Sequence, residues 1–538
     1  MDQSLVGEVQ AWIADDPDPV TASQLQQWLD TNNEAQLRTS FNGFLQFGTA
    51  GLRGPIRPGP SGMNRAVVGR TAAGIVAYMK ERNLTSVVIG RDARYGSEDY
   101  TFETAEIMSG AGMKVFVLPR PLPTPVLAFA TNELSCDVGI MVTASHNPPQ
   151  DNGYKVYLGG TVDGIEYRGS QIVSPTDVSI AHKIAAITSL KQQPRGKEWT
   201  VLGEEIIERY IDRTAALATK PGSLRIVYTA MHGVGTETLQ RVFHTAGFAS
   251  PILVEAQAAP DPDFPTVAFP NPEEPGAIDL ALETAKTFDA DLVIANDPDA
   301  DRCAAAIKDR ATGWRMLRGD ELGAILGESI ARKTTTGIFA NSIVSSSILK
   351  KIAKHYNLEF KETLTGFKWL AKINGLTFGY EEALGYAVDA RTVNDKDGIS
   401  AAITLAQIAT DLAADGKTLL DLLDEIWARH GFHATEQISI RLSDLSKVGV
   451  ILGGLRNNPP QDIADRAVTS IDDLAAPTDG LPPTDGLRIW LDGGVRIIIR
   501  PSGTEAKMKC YIEVIEKDSK TAQVVLDQLR PPLKELLS

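Results

Sequence analysis

Apolar residues along this chain fall into short runs, each closed by turn-forming residues and followed by a longer stretch in which apolar positions recur at helical spacing. The runs at 87–90, 115–118, 138–142, 224–229, 292–295 and 338–340 read as buried strands. Gly90, Pro119, Asn296 and Asn341 close four of them, and Asn147-Pro148 and His232-Gly233 turn the chain shortly after the other two. Strands alternating with helices of roughly 10 to 20 residues predict α/β domains with mixed, largely parallel sheets. Residues 1–46 read differently, as amphipathic helices: Leu5, Val9, Trp12 and Ile13 share one face, and Ser23 opens a second helix carrying Leu25 and Leu29. A break rich in Lys, Gln and Pro at 191–196 precedes a helix from about Gly203, and the proline-dense run 260–275 reads as a surface loop. Residues 401–430 read as one helical stretch. The closing region has strands at 436–442 and 494–500 flanking a polar segment in which Pro-Thr-Asp-Gly occurs twice, at Pro477 and Pro483. The pattern divides the chain into a helical lead-in at 1–46 and four domains at 47–220, 221–330, 331–433 and 434–538, the last a smaller α+β unit.

Two of the strand ends carry chemistry. After 138–142 come Thr143-Ala144-Ser145-His146-Asn147-Pro148 and then Asn152-Gly153-Tyr154-Lys155, so Ser145 stands where a strand stops. A serine hydroxyl reacts only with help from a base, a cation or a metal, and His146 and Lys155 are near in sequence. A solvated Ser-His turn is the plainer alternative. The Gly-x-Ser-x-Gly elbow of acyl-transfer hydrolases is absent. After 292–295 come Asp297-Pro298-Asp299-Ala300-Asp301-Arg302. Three carboxylates at alternating positions can converge on one point, where they repel one another unless a cation intervenes. Oxygen-only ligands suit Mg²⁺, whereas a calcium loop would need a glycine and a distal glutamate that are missing. An acidic surface loop is the plainer reading.

Composition narrows the classes. At 538 residues with 43% hydrophobic content, the chain has material for several cores. No apolar run approaches the ~18 residues of a membrane span, and Met1-Asp2-Gln3-Ser4 does not open a signal peptide. Cys136, Cys303 and Cys510 are few, odd in number and far apart, which predicts neither disulfides nor a zinc site, and a cytoplasmic protein is expected. The net charge of −15 disfavours nucleic acid and anionic membranes as partners. A phosphorylated substrate would need a local basic pocket against that field. Arg53 lies in the glycine-rich loop 47–54, whose amides and guanidinium suit an anion. Arg91 and Arg94, after the strand at 87–90, read as structural ion pairs in preference to phosphate ligands. His232 reads as a satisfied loop histidine.

Four stretches together resemble the signature loops of the α-D-phosphohexomutases, the phosphoglucomutase and phosphomannomutase superfamily. They are Thr-Ala-Ser-His-Asn-Pro, the Asp-x-Asp-x-Asp-Arg loop, Gly379-Tyr380-Glu381-Glu382-Ala383-Leu384-Gly385, and Arg500-Pro501-Ser502-Gly503-Thr504. The resemblance implies a four-domain architecture around a central cleft, a phosphoserine at Ser145, and Mg²⁺ held by Asp297, Asp299, Asp301 and the seryl group. It implies further that Arg53 is a catalytic arginine of the active-site cleft, that Arg302 adds positive charge near the metal and binds substrate, that Glu381, with Glu382 beside it, reads sugar hydroxyls, and that Arg500, Ser502, Gly503 and Thr504 hold the phosphate that is not transferred. Lys368 is expected among the substrate-binding groups. Lys155 is expected to do acid/base work, with His146 or Lys396 as alternatives. A helix-start carboxylate pair is the plainer reading of Glu381 and Glu382, and a helix cap that of the last loop.

Many phosphoglucomutases and bacterial phosphomannomutases resembling this chain have a serine where Ala383 stands. One lost hydrogen bond, roughly 0.5–1.5 kcal/mol, would relax discrimination between sugars. The implied reaction is migration of a phosphoryl group between sugar oxygens through a bisphosphate, as in glucose 1-phosphate to glucose 6-phosphate, with mannose also in view. A sugar 1,6-bisphosphate is expected as activator, and a monomer or homodimer as the assembly. Glu-Glu-Ala followed by Asp395-Lys396-Asp397-Gly398 is closer to the branch with phosphopentomutase and glucose-1,6-bisphosphate synthase, so pentose phosphates and an acyl-phosphate donor stay open. A non-catalytic sugar-phosphate-binding protein is the remaining alternative. All of the catalytic readings require the Ser145 side chain to approach the aspartates closely.

Overall fold

Strands stand where the apolar runs predict them, and their pairing sets the positions of the loops. The computed structural model describes residues 1–48, 51–311, 313–442, 444, 446–478, 480–501 and 507–538. In the first sheet the strand Val138–Val142 is buried along its whole length, with a parallel neighbour, Ser86–Arg91, on one side and an antiparallel one, Asp151–Leu158, on the other. Burial of both faces explains why its sequence is uniformly apolar instead of alternating. Ser86–Arg91 pairs in parallel with Lys114–Val117, and Asp151–Leu158 pairs antiparallel with Gly51–Pro55. The Thr143 N–H still reaches the Gly153 carbonyl at 3.1 Å. Residues 143–148 therefore leave the end of an interior strand, where loops of such sheets gather ligands.

The second sheet repeats this logic. Ile226–Thr229 lies between Ile252–Leu253 and Leu292–Ala295, all parallel, and Ala304–Asp309 and Gly313–Met316 continue it antiparallel. Residues 296–303 reverse the chain between Leu292–Ala295 and Ala304–Asp309. These elements belong to a compact unit of residues 1–316, 371–374 and 385–411.

Residues 317–370, 375–384 and 412–538 form a second unit. Within it, Ile338–Ser342 pairs in parallel with Glu359–Thr363 and Leu376–Glu381. A separate antiparallel sheet runs Phe432–Arg441, Lys507–Glu516, Val495–Pro501, Leu487–Leu491 and Arg466–Asp473. Alternation places Ile497 and Ile499 on the face that buries Leu526, Leu529 and Leu533 of the helix Ser519–Leu536. Ile498 points the other way and packs with Tyr511, Ile343, Val344 and Leu364.

Local chemistry moves some boundaries. The second lead-in helix is Pro19–Asp30 and starts before Ser23, because Asp18 accepts the Val20 N–H at 2.9 Å and Pro19 sits where its missing donor costs nothing. Leu5, Val9 and Trp12 are buried, with Ile13 at the edge of that face. The helical stretch expected at 401–430 is made of two helices, Gly398–Ala414 and Leu419–His430. Gly416 at φ 70° breaks the run, and Thr418 with Asp421 forms a capping box for the second. The loop at 260–275 is irregular as expected, but Phe264 and Val267 anchor it in a small core with Met231 and Ala277. Pro501 ends a strand, while Ser502, Gly503 and Thr504 lie outside the described residues. The three cysteines are buried and unpaired. Among the described residues no helix is long and apolar enough to cross a membrane.

Gly153 ties the first sheet to the serine loop. A Cβ there would lie 2.5 Å from the Thr143 carbonyl oxygen and 2.9 Å from that of Leu52. Gly153→Ala is expected to lower the melting temperature and to reduce catalytic activity at 25 °C, where the variant remains folded. Calorimetry paired with rate measurements checks this, and parent-like values of both would contradict it.

Candidate active site

Ser145 sits at φ 52°, a left-handed backbone conformation that costs a non-glycine residue energy and has to be held by its surroundings. Its N–H donates to Thr143 Oγ1 at 2.9 Å. Its hydroxyl donates to Asp297 Oδ2 at 2.7 Å and lies 3.2 Å from His146 Nδ1. The serine loop and the aspartate loop, 152 residues apart in sequence, thus meet atom to atom. Arg53 reaches the same loop, its Nη1 donating to Asn147 Oδ1 at 2.9 Å.

Asp297, Asp299 and Asp301 are buried, and each offers a carboxylate oxygen within 4.8 Å of the others. Lys155 projects from the strand Asp151–Leu158 and puts Nζ 2.7 Å from both Asp299 Oδ2 and Asp301 Oδ2. Arg302 Nε lies 3.9 Å from Asp297 Oδ2 and from Asp301 Oδ1. Lys396 Nζ lies 3.4 Å from Asp301 Oδ2, brought there by the tight approach of Gly398, whose N–H donates to the Ala300 carbonyl at 3.2 Å. Burial opposes charge on Lys155, but Asp299 and Asp301 hold its affinity for the proton above the usual lysine range. Burial likewise opposes charge on Asp301, yet Lys155, Lys396 and Arg302 hold it below the usual carboxylate range. Asp297 goes the other way: burial, then repulsion from Asp299 and Asp301, push it up to about 8. Burial, then Arg302 and Arg53, keep His146 neutral.

These carboxylates fit a small divalent cation. Asp299 Oδ1 and Asp301 Oδ1 are buried and accept no hydrogen bond among the described residues, and buried oxygens without a donor are costly unless something positive faces them. An all-oxygen set of hard ligands suits Mg²⁺ better than a thiol- or imidazole-seeking metal.

The second unit carries the other expected groups. Glu381 ends the strand Leu376–Glu381, and its Oε1 accepts the Gly366 N–H at 2.6 Å, two residues before Lys368. Glu382 Oε2 accepts from Ser342 and Ser345 at 3.1 and 2.9 Å. Lys368 is largely buried in the short helix Phe367–Leu370, and Arg500 is half-buried near the end of Val495–Pro501. Arg496 anchors the Ser342–Ser345 turn by donating to the Ile343 and Ser345 carbonyls.

Some contributors were missed by reading the sequence. Thr124 begins the helix Thr124–Glu133 and grips the aspartate loop twice, its N–H on the Asp299 carbonyl at 2.9 Å and its hydroxyl on Asp299 Oδ2 at 2.6 Å. The Pro-Thr-Pro context marks a helix start, but nothing local names its partner. Arg94 pairs with Asp92 as expected for a structural arginine, and it also donates to carbonyls of the serine loop. Arg91 pairs with Glu98, and His232 is satisfied by Thr266. Left-handed non-glycine residues recur at Ser145, Ala300 and Leu384, one in each of three loops.

A serine just beyond the end of an interior strand thus faces a buried carboxylate trio. Comparison with known proteins names the family. The chain matches the phosphoglucomutase/phosphomannomutase family domain by domain: alpha/beta/alpha domain I over residues 45–186, domain II over 208–313, domain III over 318–430 and the C-terminal domain over 456–529. A probable phosphomannomutase of Haemophilus influenzae is 47% identical over 482 residues, covering 88% of this chain and 98% of that protein. A phosphopentomutase of Mus musculus is 33% identical, covering 99% and 95%. In fold, a putative phosphomannomutase from Thermus thermophilus superposes with a TM-score of 0.71 at 22% identity, covering 91% of this chain and 99% of that one. The chain belongs to the phosphoglucomutase/phosphomannomutase family and is an intramolecular phosphotransferase of the phosphomutase type, with the four-domain architecture of the phosphohexomutases.

Beneath Glu382, Asp320 accepts the Ser346 N–H at 2.6 Å and the Tyr380 hydroxyl at 2.9 Å. Burial, with the nearby Glu382 charge, pushes it up to about 6. A carboxyl raised in the folded state stabilises most when protonated and loses that contribution as pH rises through its folded value. Asp320→Asn should therefore gain stability relative to the parent between pH 4 and 7, by about 2–3 kcal/mol in all. Denaturation midpoints measured for both proteins across that range check this, and a pH-independent difference would contradict it.

Proposed function

We propose that the protein interconverts sugar 1-phosphates and sugar 6-phosphates, with glucose 1-phosphate and glucose 6-phosphate as the main pair and mannose phosphates as further substrates, and that Ser145 carries the phosphoryl group between turnovers. The observation that carries this reading is the 2.7 Å approach of Ser145 Oγ to Asp297 Oδ2 within the buried trio.

In the mechanism we infer, a hydroxyl oxygen of the sugar monophosphate attacks the phosphorus on Ser145 Oγ in line. The P–Oγ bond breaks as the new O–P bond forms, giving a sugar bisphosphate and a free serine hydroxyl. The bisphosphate turns round, and its other phosphate returns a phosphoryl group to Ser145 by the reverse step. Asp297, Asp299, Asp301 and a phosphoseryl oxygen at Ser145 would hold Mg²⁺, which would neutralise charge building on the transferred group. Arg302, Lys396 and Arg53 add fixed positive charge. Lys155, which reaches into the trio from the strand Asp151–Leu158, is the group we assign to acid/base work, with His146 or Lys396 as alternatives. Glu381, with Glu382 and Lys368, reads the sugar, while Arg500 with Ser502, Gly503 and Thr504 holds the phosphate that stays. A sugar 1,6-bisphosphate would prime the serine. The three buried, unpaired cysteines support a reducing, cytoplasmic setting.

A second reading, pentose phosphate as substrate, is favoured by Ala383 after the glutamate pair and by the likeness to a phosphopentomutase. Rates on glucose, mannose and ribose 1-phosphates with catalytic bisphosphate present decide between them; dominance of ribose 1-phosphate would replace the hexose reading. Ser145→Ala should lower kcat by at least about 10⁴-fold while leaving sugar-phosphate binding intact, and parent-like turnover would end the phosphoserine scheme. Asp299→Asn should raise the magnesium concentration for half-maximal activity by at least about tenfold, whereas an unchanged requirement would remove Asp299 from the metal site.

A further inference from the structure

Arg94 follows the strand Ser86–Arg91 and is almost wholly buried, and its guanidinium spans the underside of the serine loop. One terminal nitrogen, Nη2, donates to the carbonyl oxygens of Ser145 at 2.7 Å and Asn147 at 2.5 Å. The other, Nη1, donates to those of Pro148 at 2.8 Å and Asp151 at 3.1 Å. Nε faces Asp92 Oδ2 at 3.4 Å, and the Arg94 N–H donates to Asp92 Oδ1 at 3.0 Å. The guanidinium carbon lies over the Phe264 ring, 4.8 Å from its centroid. An ion pair uses one nitrogen of this group, and four loop carbonyls occupy the other two.

That division of donors bears on Ser145, whose left-handed φ of 52° must be imposed from outside. The side-chain oxygen is aimed at the trio only while the peptide on its C-terminal side keeps its orientation, and Arg94 holds the carbonyl of that peptide. We propose that Arg94 is a positioning residue for phosphoryl transfer: its planar fork fixes the peptides of residues 145–151 so that Ser145 Oγ presents its phosphoryl group in line. This inference rests on the reading of Ser145 as the phosphoryl carrier. A lysine at this position would keep the charge but cannot span four carbonyls from one flat group.

The test uses the full-length enzyme with glucose 1-phosphate and glucose 1,6-bisphosphate, comparing Arg94→Lys with the parent and with Arg91→Ala, whose arginine pairs only with the exposed Glu98 among the contacts above. Single-turnover phosphorylation of Ser145 by the bisphosphate is followed by intact mass, alongside kcat, KM and melting temperature. Arg94→Lys should slow both phosphorylation and kcat by about 100-fold or more, the cost of misplacing reacting atoms by an ångström, with KM within about threefold of the parent. Arg91→Ala should match the parent. An Arg94→Lys enzyme that melts earlier yet phosphorylates and turns over at parent rates would reduce Arg94 to a structural group and overturn the proposal. Should Arg94→Lys fail to fold, Phe264→Leu removes the ring beneath the guanidinium and leaves every hydrogen bond in place. It should slow phosphorylation several-fold with KM unchanged, and parent-like phosphorylation there would count as refutation. Full turnover by Ser145→Ala sinks the carrier reading itself. An inactive Ser145→Ala beside a parent-like Arg94→Lys sinks this inference alone.

Discussion

Three carboxylates buried within 4.8 Å of one another govern the design of the first unit. At that spacing each like-charged pair costs on the order of 3–4 kcal/mol even with generous screening, so the loop persists only where positive charge is brought to it. Lys155 arrives from a hairpin strand of the first sheet, Arg302 from the loop itself, and Lys396 from a segment almost a hundred residues downstream. Asp297, pushed up to about 8, shows that these cations leave the balance incomplete. Asp299 Oδ1 and Asp301 Oδ1, which accept no hydrogen bond among the described residues, point to the same deficit. In a protein of net charge −15, three cationic side chains are thus gathered around one buried acidic cluster.

Rigid sheet edges make that place possible. Ser145 and the aspartates leave interior strands whose pairing fixes where each loop begins, and the strained backbone at Ser145 and Ala300 is held by a hydrogen bond to Thr143, by those from Arg94 and by the surrounding turns. In the second unit a comparable frame forms around Glu382, where serine hydroxyls and the Arg496 guanidinium define the Ser342–Ser345 turn. Strain of this kind persists where surroundings over-determine the backbone, and it belongs to sites that must present one atom in one direction.

The strands were legible because burial on both faces writes itself as uninterrupted apolar sequence, as at 138–142 and 292–295. The serine and aspartate loops were legible because their chemistry is concentrated in adjacent residues. Contacts that cross the chain were not. Thr124 reads as a helix start, yet its partner lies 175 residues on. Arg94 reads as half of an ion pair, and its four carbonyl acceptors carry no mark in the one-letter code. The Pro19 start was missed because Asp18 offered a cap five residues before the serine that the pattern suggested.

The central claim is that the phosphoryl group rests on one hydroxyl beside the trio. Incubating the enzyme with glucose 1,6-bisphosphate and mapping the modified peptide by tandem mass spectrometry measures this directly. A single phosphate on Ser145, lost when excess glucose 1-phosphate is added, is the predicted result. Phosphate on any other residue, or turnover with none attached to the chain, would contradict the account.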